Sequence, residues 1–166
     1  MLLITLRVYA AGGMLQTIGD LFGISKSTVS KVVTLVSHHI ALLRARFIKF
    51  PESDTEKLET YKGFFKIAKF PTVIAALDCT HIKIISPGGE NPELYRNRKG
   101  FSSINVQTTC DASLKITNIV ARWPGSAHDS NILRNSRMYS RFESSDFGDS
   151  LIIADSRHPN KKRREY

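Results

Sequence analysis

The chain has 166 residues, 42% of them hydrophobic and 23% charged, a balance that excludes wholesale disorder and suits one ordinary domain or a small domain with part of a larger one. Twenty-four Lys and Arg against fifteen Asp and Glu give a formal net charge of +9. The excess is shared, ten basic against five acidic residues over 1–70 and fourteen against ten over 71–166, which fits an extended polyanion as partner as well as a solvated basic surface.

The opening MLLITLRVYAAGG lacks a basic leader and is interrupted by Arg7. It suits neither a signal peptide nor a membrane span, and no membrane association is expected. Leu2, Leu3, Leu6, Tyr9 and Ala10 recur at helical spacing and predict an amphipathic helix stopped by Gly12 and Gly13. Ile18, Leu21 and Phe22 predict a second short helix, broken by Gly23. Ser25 is the expected N-cap of a third helix, whose apolar face is Val29, Val32, Val33 and Val36. Helix, glycine turn, helix is the helix-turn-helix grammar. It leaves Lys26, Ser27, Thr28, Ser30 and Lys31 at the exposed start of the third helix, suited to phosphates and base edges. A helical hairpin that serves only packing has the same pattern. His38 and His39 are adjacent and so point apart, which disfavours shared metal ligation.

Pro51 punctuates the chain, and an amphipathic stretch over about 53–69 predicts a linking helix closed by Pro71. The expected organisation is a helical segment over 1–50, a linker helix over 51–72 and an α/β domain over 73–166. From Val73 the period changes. VIAALD is continuously apolar, as in a strand buried on both faces, and HIKII alternates after it. SPGGENPELYRNRKG is a turn-rich loop. FSSINVQTTCD and LKITNIVAR alternate across a short turn and predict a hairpin, with Asp111 in a structural role at its tip. Trp123–Pro124–Gly125 predicts a rigid corner before a helix near Asp129, with Ile132, Leu133 and Met138 on its apolar side. LIIAD predicts one more buried strand. Cys79 and Cys110 lie in apolar strands outside any CxxC pair and are expected as reduced thiols in an intracellular compartment.

Asp78, Asp129 and Asp155 end or follow these strands. They lie 51 and 26 residues apart, so only tertiary structure can join them. If the first and last strands are neighbours, Asp78 and Asp155 stand at adjoining strand ends. Carboxylates held close repel unless a cation lies between them, and hard oxygen ligands select Mg²⁺ or Mn²⁺. Such ions activate a water and stabilise the leaving oxygen of a phosphodiester, so a nuclease or strand-transfer reaction follows. Each residue also has a plainer role available: a backbone-satisfied buried Asp at 78, a helix cap at 129, a turn at 155. His128 is read as an orienting hydrogen-bond group, with an acid/base or substrate contact as the alternative.

The blocks ALDCTHIKI, YRNRKGFSSINVQTTCD, WPGSAHDSNILRNS and LIIADS resemble the PIF/Harbinger transposases, most closely the Harbinger transposase-derived nuclease family. GDLFGISKSTVSKVV and RFIKFP resemble its segment upstream of the catalytic domain. The resemblance covers about residues 2–156. It implies a ribonuclease-H-like mixed sheet with a DDE-type metal site that cuts DNA, Mg²⁺ or Mn²⁺ as cofactor, and residence in the nucleus, with the cytoplasm as a second compartment. It also implies a separate DNA-binding partner protein. Asp78 corresponds to the DCTHI block, Asp129 to PGSxHDS and Asp155 to a GDS-type block in which Ala154 replaces the usual glycine.

The family's final glutamate lies well downstream. Glu165, ten residues past Asp155, is too close to match it, and NKKRREY leaves the family pattern. The expectation is therefore a C-terminally truncated nuclease fold, weakly active or inactive by itself. The alternative is a catalytically inactive protein that binds DNA or a partner through the helix-turn-helix. KKRR reads as a nuclear localisation signal or as a chance tail.

Overall fold

A computed structural model describes residues 1–154, in two compact units, Met1–Phe47 and Ile48 onward. The first unit is helical: α1 (Leu2–Ala11), α2 (Leu15–Phe22), α3 (Lys26–Leu42) and the single turn α4 (Arg44–Phe47). Gly12 and Gly23 end α1 and α2 in the left-handed region, which costs a residue without Cβ nothing. Ser25 caps α3, its Oγ accepting from the Thr28 N–H at 3.2 Å. Ile18, Val29 and Val32 are buried between the helices, as their spacing predicts. The predicted face of α1 is not the buried one. Thr5 is fully buried with Ile4 and Val8 partly so, an i, i+4 stripe, while Leu2, Leu3, Leu6 and Tyr9 are exposed, as are Leu21 and Phe22 of α2. A unit of this size has too little interior to cover every apolar side chain its helices carry.

The second unit begins with α5 (Asp54–Ala68), fixed at its start by a reciprocal capping box. The Ser53 Oγ accepts from the Glu56 N–H, and the Glu56 carboxylate accepts from the Ser53 and Glu52 N–H groups. Those backbone donors hold the Glu56 carboxyl below its ordinary range. α5 packs on β1 (Val73–Lys83).

β1 is one long strand spanning both the apolar VIAALD and the alternating run after it. β2 (Ser103–Cys110) and β3 (Ile116–Pro124) form the predicted hairpin, and β4 (Leu151–Ala154) follows the short helices α6 (Asp129–Arg134) and α7 (Arg137–Glu143). The four strands make a mixed sheet in the order β3-β2-β1-β4, antiparallel except for the parallel β1–β4 pair. This mixed α/β architecture agrees with the ribonuclease-H-like class. Asp111 is structural: its Oδ1 accepts from the Ser113 and Lys115 N–H groups at 2.8 and 3.0 Å and fixes the hairpin turn.

The first half of β1 is buried on both faces, with Val73, Ile74 and Ala75 fully enclosed. Leu77 packs with Leu133 and Met138, so α6 and α7 close one side. Phe50, Phe142 and Phe147 cluster against Ile74 and Ala75, with ring centroids 5.0 Å apart for Phe50–Phe147 and 4.6 Å for Phe142–Phe147. Ile132, Leu133 and Met138 are buried as their spacing predicts. They divide between two helices, because Ser136 starts a new one by capping the Tyr139 N–H.

Candidate active site

β4 pairs with β1 from Val73 to Leu77. The antiparallel β2 ladder continues beyond that point, with Asp78 opposite Thr108, Cys79 opposite Gln107 and His81 opposite Asn105. Side chains alternate across a sheet, so Cys79, His81, Asn105 and Gln107 share one face and Asp78 emerges on the other. Asp78 is exposed, and its Oδ1 accepts from the Cys79 N–H at 2.8 Å. It lies inside the strand, one residue past the described β4 pairing.

Asp129 reaches the Cys79 face from the first position of α6. The preceding corner is tight. A Cβ on Gly125 would collide with the Ser103 Oγ and come within 2.5 Å of the Tyr95 carbonyl, so only glycine fits. The Ala127 N–H closes the turn on the Pro124 carbonyl at 2.9 Å. Asn105, almost wholly buried, then clamps the turn to the sheet. Its Nδ2 donates to the Ala127 carbonyl at 3.0 Å and to Asp129 Oδ1 at 2.8 Å. Two acceptors fix the orientation of this amide, and its Oδ1 is left buried with no hydrogen-bond partner, as is Gln107 Oε1.

The Cys79 thiol hydrogen-bonds to the Asp129 carboxylate. Burial, then the negative charges of Asp129 and Asp78, push the thiol up to about 12, so it keeps its proton through the neutral range. Asp78 and Asp129 thus approach the same cysteine.

On the far wall, Arg98 Nη2 donates to His128 Nδ1 at 2.9 Å, which leaves the proton of the neutral ring on Nε2. Asn97 anchors this loop. Its Oδ1 accepts from the Lys99 and Phe101 N–H groups and its Nδ2 donates to the Ser103 Oγ, which also meets His81 Nδ1 at 3.1 Å. Between loop and sheet lies a pocket of about 340 Å³, lined among others by Cys79, His81, Arg98, Lys99, Phe101 and Asp129.

Asp155 lies outside the described residues. Among those described, no group of three or more His, Cys, Asp or Glu is arranged to hold a metal ion. Lys26, Ser27, Thr28, Ser30 and Lys31 are all exposed on the first turns of α3, in the other unit, and His38 and His39 are exposed further along that helix. Asn105, Cys79 and Arg98 were not anticipated as site residues. Asn105 and Gln107 carried a signal, two amides on one face of a strand whose neighbours are apolar.

The model of the DDE superfamily endonucleases matches residues 77–166, from the residue before Asp78 onward and more than half of the chain. The chain belongs to this family. Over 155 residues it is 33% identical to the protein named Putative nuclease HARBI1 of Rattus norvegicus, a match that covers 93% of this chain and 44% of the relative. The human protein of that name is 32% identical over the same shares of each. A plant relative, Protein ALP1-like of Arabidopsis thaliana, is 31% identical over 84% of this chain and 34% of its own length. The chain therefore spans under half the length of the curated relatives it matches. No solved structure matches it. Among the described residues of this DDE endonuclease chain, no helix is long and apolar enough to cross a membrane.

Proposed function

We propose that this DDE endonuclease chain contributes the metal-binding core of an enzyme that hydrolyses DNA phosphodiester bonds, with Asp78 and Asp155 as the carboxylates that hold the ion. One observation carries this: the described β1–β4 ladder ends at Leu77 opposite Ala154, and the next residue in each segment is an aspartate. Asp78 suits the role, being a hard oxygen donor open to solvent. Asp129 suits it less well, since its carboxylate already accepts from Asn105 and from the Cys79 thiol on the opposite face. We therefore read Asp129 as a neighbour of the metal pair.

A bound Mg²⁺ or Mn²⁺ supplies Lewis-acid activation of water and charge stabilisation at the leaving oxygen. The chain's own groups hold the geometry: the Cys79 N–H orients Asp78, and the buried first half of β1 keeps the strand from shifting. Such a metal hydrolase acts where chromosomal DNA is, so we place it in the nucleus.

Mn²⁺ titration of the purified chain, followed by water-proton relaxation, tests the metal site. Asp78→Asn is expected to remove the binding and any Mg²⁺-dependent nicking of supercoiled plasmid. Nicking that survives this substitution would overturn the assignment.

The exposed start of α3 supports a second contribution, a DNA-binding face made by Lys26, Ser27, Thr28, Ser30 and Lys31. Work with a separate DNA-binding protein is the alternative to this face. Each lysine replaced by alanine should lower the salt-dependence slope of duplex binding by about 1, if each meets one phosphate. An unchanged slope in the double variant would make α2 and α3 a packing module only.

A further inference from the structure

We propose that the pocket between the Arg98–Phe101 loop and the second half of β1 holds one unpaired nucleotide of the DNA substrate, an inference that rests on the nuclease reading above. At about 340 Å³ the pocket stands at the small end of ligand sites, room for one nucleotide and not for a base pair with its backbone.

Its walls divide chemically along the lines of a nucleotide. Arg98 and Lys99 are exposed and cationic at one side, suited to a phosphate. Arg98 uses one N–H on His128 and has others to offer, so the histidine aims the guanidinium without consuming it. Phe101 supplies an aromatic wall, half-buried, for base stacking. The opposite wall has the Asp129 carboxylate, which accepts hydrogen bonds. The carboxylate can meet the amino and ring N–H donors of a Watson–Crick edge, which is free only in an unpaired base.

The enclosure is built. Asn97 fixes the loop with three hydrogen bonds, Asn105 fixes the Asp129 side, and Gly125 lets the backbone close in where any Cβ would collide. A general anion site would need the cations alone. The carboxylate opposite them argues for a ligand with donors at its other end.

The test compares fluorescence-anisotropy binding of the full 166-residue chain to three duplexes of one sequence: fully paired, with a single extra unpaired nucleotide, and with an abasic unpaired position. The expected result is about tenfold tighter binding of the unpaired-nucleotide duplex than of either other, within the range of one stacked base. Phe101→Leu, which keeps most of the buried volume, should bring that ratio close to one, and Arg98→Gln should lower it. Thermal midpoints matching wild type establish that both variants are folded.

Equal binding of paired and unpaired duplexes by wild type overturns the proposal. So does abasic binding as tight as that of the intact nucleotide, which would mean the phosphate alone is recognised. Preference for the unpaired nucleotide in a chain that neither binds Mn²⁺ nor cuts would support the pocket and sink the nuclease reading. Cutting without preference would do the reverse.

Discussion

The two halves of β1 share one strand and have opposite fates. Val73–Leu77 pairs with the described β4, is joined by β2 from Ala76 on, and is buried almost throughout. Asp78–Lys83 keeps β2, while the described β4 stops short of it, and its side chains are exposed or only partly covered. The first half is enclosed in the core and the second carries the polar groups, so the candidate site is positioned by a buried segment of the same strand. The change occurs between two consecutive residues, the buried Leu77 and the exposed Asp78.

The largest expected break in this comparison is Ile74→Ala. Ile74 is fully enclosed, and its truncation should cost about 2–5 kcal/mol in urea unfolding, since the aromatic cluster around it can collapse only in part. Asp78→Asn, four residues on, should change stability by no more than about 0.5 kcal/mol, as for an exposed side chain. A large loss there would mean that the second half of β1 also carries the fold.

A smaller effect sharpens the boundary at Cys79. Its thiol titrates near 12 in the folded chain against an ordinary value of 9.0. Between those pH values the unfolded chain has released a proton that the folded chain keeps, so this contribution to stability is complete below pH 9 and is lost as the pH rises toward 12. The thermal midpoint of wild type should therefore fall more steeply over that window than that of Cys79→Ser. Parallel curves would show that the thiol is not held between the two carboxylates.

Much of this was readable in the sequence because it is local. The apolar run of β1, the alternation of the hairpin, the capping residues Ser25 and Ser53 and the apolar triad Ile132, Leu133 and Met138 each declare themselves within a few residues. What escaped depends on contacts between distant segments. Phe50 and Phe147 have no periodic neighbours, and they meet only once α7 and the turn after it are in place. The exposure of Asp78 depends on how the rest of the fold packs around β1, which its own strand does not record. Asn105 sits in an ordinary alternating strand, and its function comes from Asp129, twenty-four residues later. On α1, helical spacing marked the element correctly and the wrong face as buried, since several stripes of that helix are apolar and only packing selects among them.

The parallel β1–β4 pair also carries a consequence for how the molecule is made. β1 can pair with β2, and β2 with β3, as soon as the hairpin leaves the ribosome. The partner that flanks Val73–Leu77 on the other side is translated last among the described elements, after α6 and α7. Closing so long a loop delays that contact relative to the hairpin. Until it closes, the most apolar segment of the chain has an open edge, and a nascent chain stalled before Leu151 would be the form most in need of a chaperone.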